Sequence, residues 1–386
     1  MQDLAVRWTR MNTHTFNRSG LEKFSKELER VFSIFHEEVK WAVLSPYVSI
    51  NPDGRQEEHP LGDTIVIQKR PGASKQVLLV CHMDTVYPLE HPFQEVKMID
   101  DNRITGPGIA DAKGGIIVLF YALQALEQSP LSRNIGWKVI LNSDEEIGSP
   151  SSAHLFEGAA KEFHWGLVFE PCLKNGHLVG ARKGSGHFTI LARGRPAHAG
   201  RSIREGRNAI DALAKCVSLI SRLGDARRGL TVNAGLIRGG SAPNVVAETA
   251  SAVYNIRFAK AEDFIFVEKK IHEILTAVSQ KTEVSIEYQR RVSAGPKPLI
   301  GKTLDAFKHV QRCGREIGLD LKWEDSGGVC DGNRLQAAGL ATVDTLGVQG
   351  GDLHSDHEYL LVDSLVERTT LATLCLLTWA DGEWSI

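Results

Sequence analysis

Acidic and imidazole side chains recur where predicted strands end or in a glycine-rich loop, and their types suit the binding of a metal ion. They are His82, Asp111, Glu145, Glu146, Glu170 and His354. In an open α/β sheet, ligands bind beyond the carboxyl ends of the strands, so these side chains are expected to meet at one edge. Zinc accepts histidine and carboxylate ligands. The pattern therefore predicts a metal centre.

Each of these residues taken alone also has a purely structural explanation. A histidine at a strand end is often only a hydrogen-bonded structural residue, and an aspartate beside glycines is often a loop or cap residue. Two adjacent glutamates after a strand are often a solvated acidic turn. The metal interpretation rests on their joint placement at the ends of several apolar runs.

Strands and helices alternate in the first and last parts of the chain, which is typical of a doubly wound α/β sheet. A helix with three-to-four apolar spacing is predicted to follow Ser19 as its N-cap. The predicted strands are Trp41–Ile50, Thr64–Lys69, Gln76–Cys81, Trp137–Leu141, Gly166–Phe169 and Ala341–Leu346. The other predicted helices are Ile116–Leu126, Thr303–Gly318, Asp331–Ala338 and Ser364–Ala380.

The middle of the chain has a different order of predicted elements, βαββαβ, which is the ferredoxin-like arrangement. Its members are His187–Arg193, Arg207–Leu223, Leu230–Arg238, Thr249–Phe258, Ala261–Gln280 and Glu283–Arg290. We therefore predict a discontinuous catalytic domain of residues 1–181 and 293–386, with a mixed sheet and the metal at the carboxyl edge of its strands. Residues 182–292 form the inserted domain.

Composition excludes several classes of protein. Of 386 residues, 42% are hydrophobic and 24% are charged, as in soluble globular chains and unlike disordered ones. A net charge of −2 does not show the excess of basic residues that is typical of proteins that bind nucleic acid or an anionic membrane surface. The 6 cysteines show no CxxC spacing, which argues against a disulfide framework and against a thiolate zinc site. With no apolar run expected to reach the ~20 residues of a membrane span, we predict a cytoplasmic protein.

Six segments resemble the motifs of the M20 metallopeptidases, and most of all the carboxypeptidase G2 type of glutamate carboxypeptidase. The segments begin at His82-Met83-Asp84, Gly108-Ile109-Ala110-Asp111, Asp144-Glu145-Glu146, Phe169-Glu170-Pro171, Ala197-His198-Ala199-Gly200 and His354-Ser355. They follow in order over nearly the whole chain. The resemblance implies a zinc peptidase whose inserted domain is a lid and dimerisation domain.

The resemblance also implies two zinc ions per subunit, with cobalt or manganese as alternatives. It makes Asp111 the bridging ligand, His82 and Glu170 ligands of one ion, and Glu146 and His354 ligands of the other. An anionic carboxylate can span two ions roughly 3.5–4 Å apart.

Two further carboxylates are given catalytic roles by the resemblance. Glu145 is implied as the general base that takes a proton from water and returns it to the leaving amine. Asp84 stands two residues after His82, on the same side of an extended strand, and is implied to orient the imidazole.

Substrate-binding residues in and near the inserted domain follow from the resemblance alone. Arg257 is implied to bind a substrate carboxylate, while His198 and Asn244 are implied to reach the site from the partner subunit of a homodimer. Gly328 lies in a segment that resembles a family loop near the substrate. Two consecutive glycines before a helix are equally well explained as an ordinary turn. The chain departs from the family at Ala247-Glu248, Asn255 and Ser202-Ile203-Arg204, which affects the expected substrate more than the metals.

The predicted function is hydrolysis of a peptide or amide bond beside a free carboxylate, by a carboxypeptidase acting on a small peptide. The alternative is an N-acyl-amino-acid deacylase, of the aminoacylase or acetylornithine/succinyl-diaminopimelate type. A catalytically silent binding protein is disfavoured because every implied ligand is present. Cysteine catalysis is disfavoured because Cys81, next to His82 on a strand, should point into the core.

Overall fold

The computed structural model describes residues 1–51 and 55–386, and these divide into two compact units. The first comprises Met1–Pro46, Pro60–Arg182 and Lys297–Ile386. The second comprises Tyr47–His59 and Lys183–Pro296. The divisions lie within a few residues of the boundaries expected from sequence, except that Tyr47–His59 groups with the second unit.

Helices and strands are numbered along the chain. The helices are α1 (Gln2–Thr9), α2 (Arg18–Phe32), α3 (Gly115–Gln128), α4 (Ala153–Ala159), α5 (Ala209–Ile220), α6 (Ala261–Thr282), α7 (Gly301–Glu316), α8 (Asp331–Ala337) and α9 (Val362–Asp381). The strands are β1 (Val39–Ala42), β2 (Tyr47–Ile50), β3 (Gln56–His59), β4 (Thr64–Lys69), β5 (Lys75–His82), β6 (Lys97–Asp100), β7 (Arg103–Thr105), β8 (Ile135–Asn142), β9 (Trp165–Val168), β10 (Leu178–Arg182), β11 (Gly184–Arg193), β12 (Thr231–Gly239), β13 (Thr249–Phe258), β14 (Ser285–Ala294), β15 (Trp323–Ser326), β16 (Ala341–Val343), β17 (Gly350–Gly351) and β18 (Tyr359–Leu361).

The first unit is built around a mixed sheet in the order β1-β4-β8-β5-β9-β16. The strands β8, β5, β9 and β16 are parallel, whereas β1 and β4 are antiparallel to their neighbours. Alternate residues of β5 enter two different cores: Val77, Leu79 and Cys81 pack on one face, and Leu78 and Val80 on the other. Helices therefore cover both faces, which confirms the predicted mixed α/β fold and the buried position of Cys81.

The segment Ile109–Gln128, which includes α3, is the only one among the residues described that is long and apolar enough to cross a membrane. The sequence-based expectation that no run reaches this length was therefore wrong. Most of the segment is buried inside the first unit, as in the core helix of a globular domain.

Two local predictions differ from the structure. The run Trp41–Ile50 is not one strand, because β1 ends at Ala42 and β2 begins after Pro46, whose ring removes a backbone donor. The helix α2 begins at Arg18 with Asn17 as its N-cap, whose Oδ1 accepts the Gly20 N–H at 3.1 Å. Both asparagine and serine serve well at an N-cap, so sequence did not separate them.

The second unit has the predicted βαββαβ order, with strands β11, β12, β13 and β14 in an antiparallel sheet ordered β12-β13-β11-β14. The helices α5 and α6 bury their apolar sides in one core with the sheet. The strand β12 forms one edge of this sheet, and its Leu236 and Ile237 are exposed. This arrangement confirms the predicted ferredoxin-like fold.

Candidate metal centre

Asp111 lies between two imidazoles and offers one carboxylate oxygen to each. His82 Nε2 is 3.0 Å from Asp111 Oδ1, and His354 Nε2 is 3.2 Å from Asp111 Oδ2. Asp111 stands in the glycine-rich turn before α3, and the peptide bond that follows it is cis. A carboxylate in this position can bridge two cations, with one oxygen bound to each.

Two glutamates complete the cluster, one on each side of Asp111. Glu170 Oε2 lies 3.8 Å from His82 Nε2, and Glu146 Oε2 lies 3.3 Å from His354 Nε2. The five residues come from the ends of β5, β8 and β9 and from loops after β7 and β17. The structure thus brings together every residue that the sequence implied as a metal ligand.

The electrostatics of the cluster show carboxylates crowded in a site with little solvent. Burial raises the pKa of Glu146 to about 7 and that of Glu170 to about 8. Burial and then the neighbouring Glu170 raise the pKa of Glu145 well above its usual range. Burial alone would lower the pKa of His82, but the carboxylates of Glu170 and Asp111 raise it well above its ordinary value. A divalent cation would favour the charged carboxylates and the neutral imidazoles.

The donor atoms fit a metal. Glu146 Oε1 is buried and has no hydrogen-bond partner among the residues described, although an unpartnered buried carboxylate oxygen is costly. His82 Nδ1 lies 3.0 Å from the main-chain oxygen of Asp84, which can only accept, so Nδ1 carries a proton and Nε2 faces the cluster. His82, Asp111 and Glu146 bring their ligand atoms within 4.8 Å of one another.

Asp84 fixes the turn that carries the paired glutamates. Its carboxylate accepts the N–H groups of Glu145 and Glu146, each at 3.2 Å, and the Thr15 hydroxyl at 2.7 Å. Its Oδ1 is 3.4 Å from His82 Nδ1, farther than its own main-chain oxygen. Asp84 therefore orients the imidazole mainly through its main chain and the glutamates through its side chain.

Glu358 is a site residue that the sequence reasoning missed. Its buried carboxylate accepts the main-chain N–H groups of Gly108, Ala110 and Asp111 at 3.1, 2.9 and 3.1 Å. The Tyr87 hydroxyl also donates to it, at 2.8 Å. These bonds hold the turn that presents Asp111. Two features of the sequence could have indicated this role. Glu358 stands four residues after His354, and the main-chain N–H groups of the glycine-rich loop needed an acceptor.

A second set of buried polar residues, also not predicted, supports the glutamate turn from behind. Asn142 Nδ2 donates to Asp331 Oδ2 at 2.9 Å, and Ser149 donates to the other oxygen of Asp331. Asp144 accepts the N–H groups of Ser151 and Ser152 at 2.8 and 3.1 Å. The turn after β8 is therefore anchored at both ends.

The predicted substrate-binding residues of the second unit do not meet in one place. The segments of His198 and Asn244 lie side by side, since the Ala199 N–H donates to the Asn244 oxygen at 3.0 Å. They adjoin the end of β11 and the start of β13, where Arg193 pairs with Thr249. Arg257 pairs with Ser185 at the other end of the same ladder. Eight residues of extended strand separate the two ends by roughly 25 Å.

Arg257 and Gly328 have simple local contacts. Arg257 Nε donates to Asn255 Oδ1 at 3.0 Å, and partial burial lowers the pKa of its guanidinium. Gly328, in the first unit, is exposed, and its main-chain oxygen lies 3.4 Å from Arg182 Nη1. Arg182 is itself paired with the buried Asp344 at 2.7 Å.

Comparison with known proteins gives consistent matches along the chain. The model of peptidase family M20/M25/M40 matches residues 78–378. Carboxypeptidase G2 from Pseudomonas sp. (strain RS-16) is 27% identical over 337 residues, which cover 84% of this chain and 78% of that protein.

Solved structures share the fold over nearly the full length. An M20 family metallo-carboxypeptidase from Sulfolobus solfataricus superposes with a TM-score of 0.74 at 15% identity, covering 98% of this chain and 99% of the other. Human carnosine dipeptidase 1 superposes with a TM-score of 0.72 at 14% identity, covering 98% and 96%. At these identities the likeness concerns the fold.

Proposed function

This chain belongs to peptidase family M20/M25/M40, and on that premise we propose that it is a di-zinc carboxypeptidase that hydrolyses the peptide or amide bond beside a free carboxylate. The family makes it a metallopeptidase. The proposal adds the number and identity of the ions and the substrate class, with cobalt or manganese as alternative ions. The name of the related carboxypeptidase G2 favours carboxypeptidase action over deacylation.

One observation carries the proposal: Asp111 presents its two oxygens to His82 and His354, at 3.0 and 3.2 Å. One ion would be held by Asp111, His82 and Glu170, and the other by Asp111, Glu146 and His354. The unpartnered Glu146 Oε1 supports this assignment. When bound, the ions lower the pKa of a coordinated water and polarise the scissile carbonyl.

In this mechanism Glu145 moves the proton. Its carboxylate takes a proton from the attacking water and delivers it to the amine that leaves. A glutamate that bound a metal could not do both steps, so the adjacent Glu145 and Glu146 have separate roles. Asp84 fixes the turn that carries both glutamates by accepting their two N–H groups.

For the second unit, we propose that Arg257 binds the substrate carboxylate as a two-pronged donor. We also propose a homodimer in which His198 and Asn244 act on the substrate bound by the other subunit. The separation of these two residues from Arg257 along β13 supports the use of two chains. The exposed edge strand β12 supports self-association, since it leaves backbone donors and acceptors available.

Amine release from a substrate panel tests the proposal. The panel contains folate-like acyl-glutamates, dipeptides and N-acetyl or N-succinyl amino acids, each with a free and an amidated carboxylate. We expect zinc-reconstituted protein to cleave acyl-glutamates or dipeptides and to cleave the amidated forms much more slowly. Cleavage confined to N-acetyl or N-succinyl amino acids would replace carboxypeptidase with deacylase. If protein that carries its metals releases amine from none of these substrates, a binding role would be favoured.

A further inference from the structure

Sulfur and imidazole groups meet inside the first unit where α7 contacts α9. His309 and Cys313 are four residues apart on α7 and so lie on one face of it. Cys375 belongs to α9. We call these three residues the α7–α9 cluster. One ligand atom from each lies within 4.8 Å of the others.

The distances suit a single small ion. His309 Nε2 is 3.8 Å from Cys313 Sγ. The hydroxyl of Thr378, one turn after Cys375, lies 3.6 Å from Cys313 Sγ and 3.3 Å from His309 Nε2. Tetrahedral zinc, with Zn–S of about 2.3 Å and Zn–N of about 2.0 Å, sets its ligand atoms roughly 3.5–3.8 Å apart.

The cluster is buried, and aromatic rings pack against its imidazole. Cys313 is 1% exposed, Cys375 is fully buried and His309 is 3% exposed. The His309 ring stacks on Trp384 with centroids 4.1 Å apart and meets Trp165 edge to face. The two sulfur atoms and the imidazole, which are ligand types that zinc favours, therefore lie together away from solvent.

We propose that the α7–α9 cluster is a structural binding site for a thiophilic divalent cation, zinc or a close analogue. Two thiolates neutralise the divalent charge, and the imidazole is a third ligand that zinc favours. The Thr378 hydroxyl and the main-chain oxygen of Cys375, each 3.3 Å from His309 Nε2, are oxygens close to a fourth position. The donor set is distinct from the carboxylate-rich centre around Asp111.

Such an ion would fasten α7 to α9. The helix α9 shares the main core with α3, the helix that follows the turn of Asp111. The cluster would therefore stabilise the layer of helices behind the catalytic centre without touching it.

The C-terminal segment lies against the cluster. Trp384, after the end of α9, covers one face of His309. The Arg312 guanidinium is 3.4 Å from His309 Nδ1, and ligation through Nε2 needs Nδ1 to hold the proton instead. The Arg312 side chain is 42% exposed and within 4.0 Å of Glu383, so it can turn away.

Cadmium titration of reduced, metal-stripped full-length protein tests the proposal, because only thiolate ligands produce the sulfur-to-cadmium charge-transfer band. Oxygen and nitrogen ligands at the Asp111 centre are silent in this band. We expect one saturable cadmium equivalent to produce it in the wild type. Cys313→Ser and Cys375→Ser should each weaken the charge-transfer band strongly, and His309→Gln should weaken cadmium binding at least tenfold. Cys330→Ser and Cys216→Ser, which alter buried thiols elsewhere, should keep it.

Zinc content gives a second readout. Reconstituted wild type is expected to hold one zinc equivalent more than Cys313→Ser or Cys375→Ser, while all three cleave substrate alike. The absence of a stoichiometric cadmium band in the wild type would overturn the proposal. So would a band that survives both cysteine substitutions, or equal zinc content in wild type and variants with unchanged circular dichroism.

Discussion

Glu358 accepts the main-chain N–H of Asp111 at 3.1 Å, so an acid on the segment of His354 fixes the backbone of the aspartate that His354 faces. The same carboxylate accepts the N–H groups of Gly108 and Ala110. The loop that carries one imidazole thus also sets the turn that carries the shared carboxylate.

We predict that Glu358→Gln weakens zinc binding and lowers kcat/KM by about 10- to 100-fold, the usual effect of removing a group that orients metal ligands. A neutral amide has one acceptor oxygen, and its NH₂ group would face backbone donors. Competition with a chromogenic chelator measures the affinity. Asp356→Asn, an exposed change two residues away, serves as the control. Wild-type affinity in Glu358→Gln would show that the turn holds its shape without this acid.

The sequence was sufficient to predict which residues meet at the candidate metal centre, because most of them follow apolar runs, Asp111 lies in a glycine-rich loop, and the family resemblance implied their roles. His82 and Glu170 directly follow runs that could only be buried strands. The βαββαβ order likewise follows from local periodicity. These are features that neighbouring residues determine.

What the sequence could not show depends on contacts between distant segments. Glu358 lies 247 residues from Asp111 along the chain, and Thr15 lies 69 residues from Asp84. Scattered cysteines suggested no thiolate site, yet Cys313 and Cys375 meet across two helices. A motif search does not detect such pairs because they have no fixed spacing along the chain.

We predict that Arg257→Ala lowers kcat/KM for substrates with a free carboxylate by about 10- to 100-fold, as expected for the loss of hydrogen bonds to a charge worth roughly 1.5–3 kcal/mol. Cleavage of amidated substrates, already slow, should change little. Arg222→Ala, at an exposed arginine just after α5, is the matched control. Equal losses on free and amidated substrates would contradict a carboxylate-binding role.

Mixed dimers test whether one substrate site uses two chains. If Arg257 and His198 act from different subunits, mixing the weakly active Arg257→Ala and His198→Ala proteins should raise activity to about one quarter of the wild-type value, because half of the dimers then have one intact site. If both residues serve from the same chain, every site keeps a defect and mixing restores nothing. Analytical ultracentrifugation confirms that the mixture is dimeric, and a monomeric wild type would contradict the homodimer.

The ion pair between Arg70 and Glu127 should contribute stability that depends on pH. Burial would raise the pKa of Glu127, but hydrogen bonds from Arg70 and Trp137 outweigh it and lower the pKa. The contribution is therefore complete at pH 7, above the ordinary pKa of a glutamate, and is lost as pH falls through the depressed pKa. We expect Glu127→Gln to cost about 1–3 kcal/mol of unfolding free energy at pH 7 and much less at pH 3.

Urea unfolding at the two pH values measures this cost. Glu157→Gln, at an exposed glutamate, should leave stability unchanged at both. A loss from Glu127→Gln that stays constant between the two pH values would assign its effect to packing.

The most direct test of the central claim is amine release by the wild type and Glu145→Gln, each stripped of metal and then reconstituted with zinc. Zinc should restore hydrolysis in the wild type, while Glu145→Gln should bind the same amount of zinc and remain at least ~100-fold slower, since general base catalysis contributes at least that much. Stripped wild type with full activity, or zinc-loaded Glu145→Gln with near wild-type activity, would contradict a metal-dependent hydrolase in which Glu145 moves the proton.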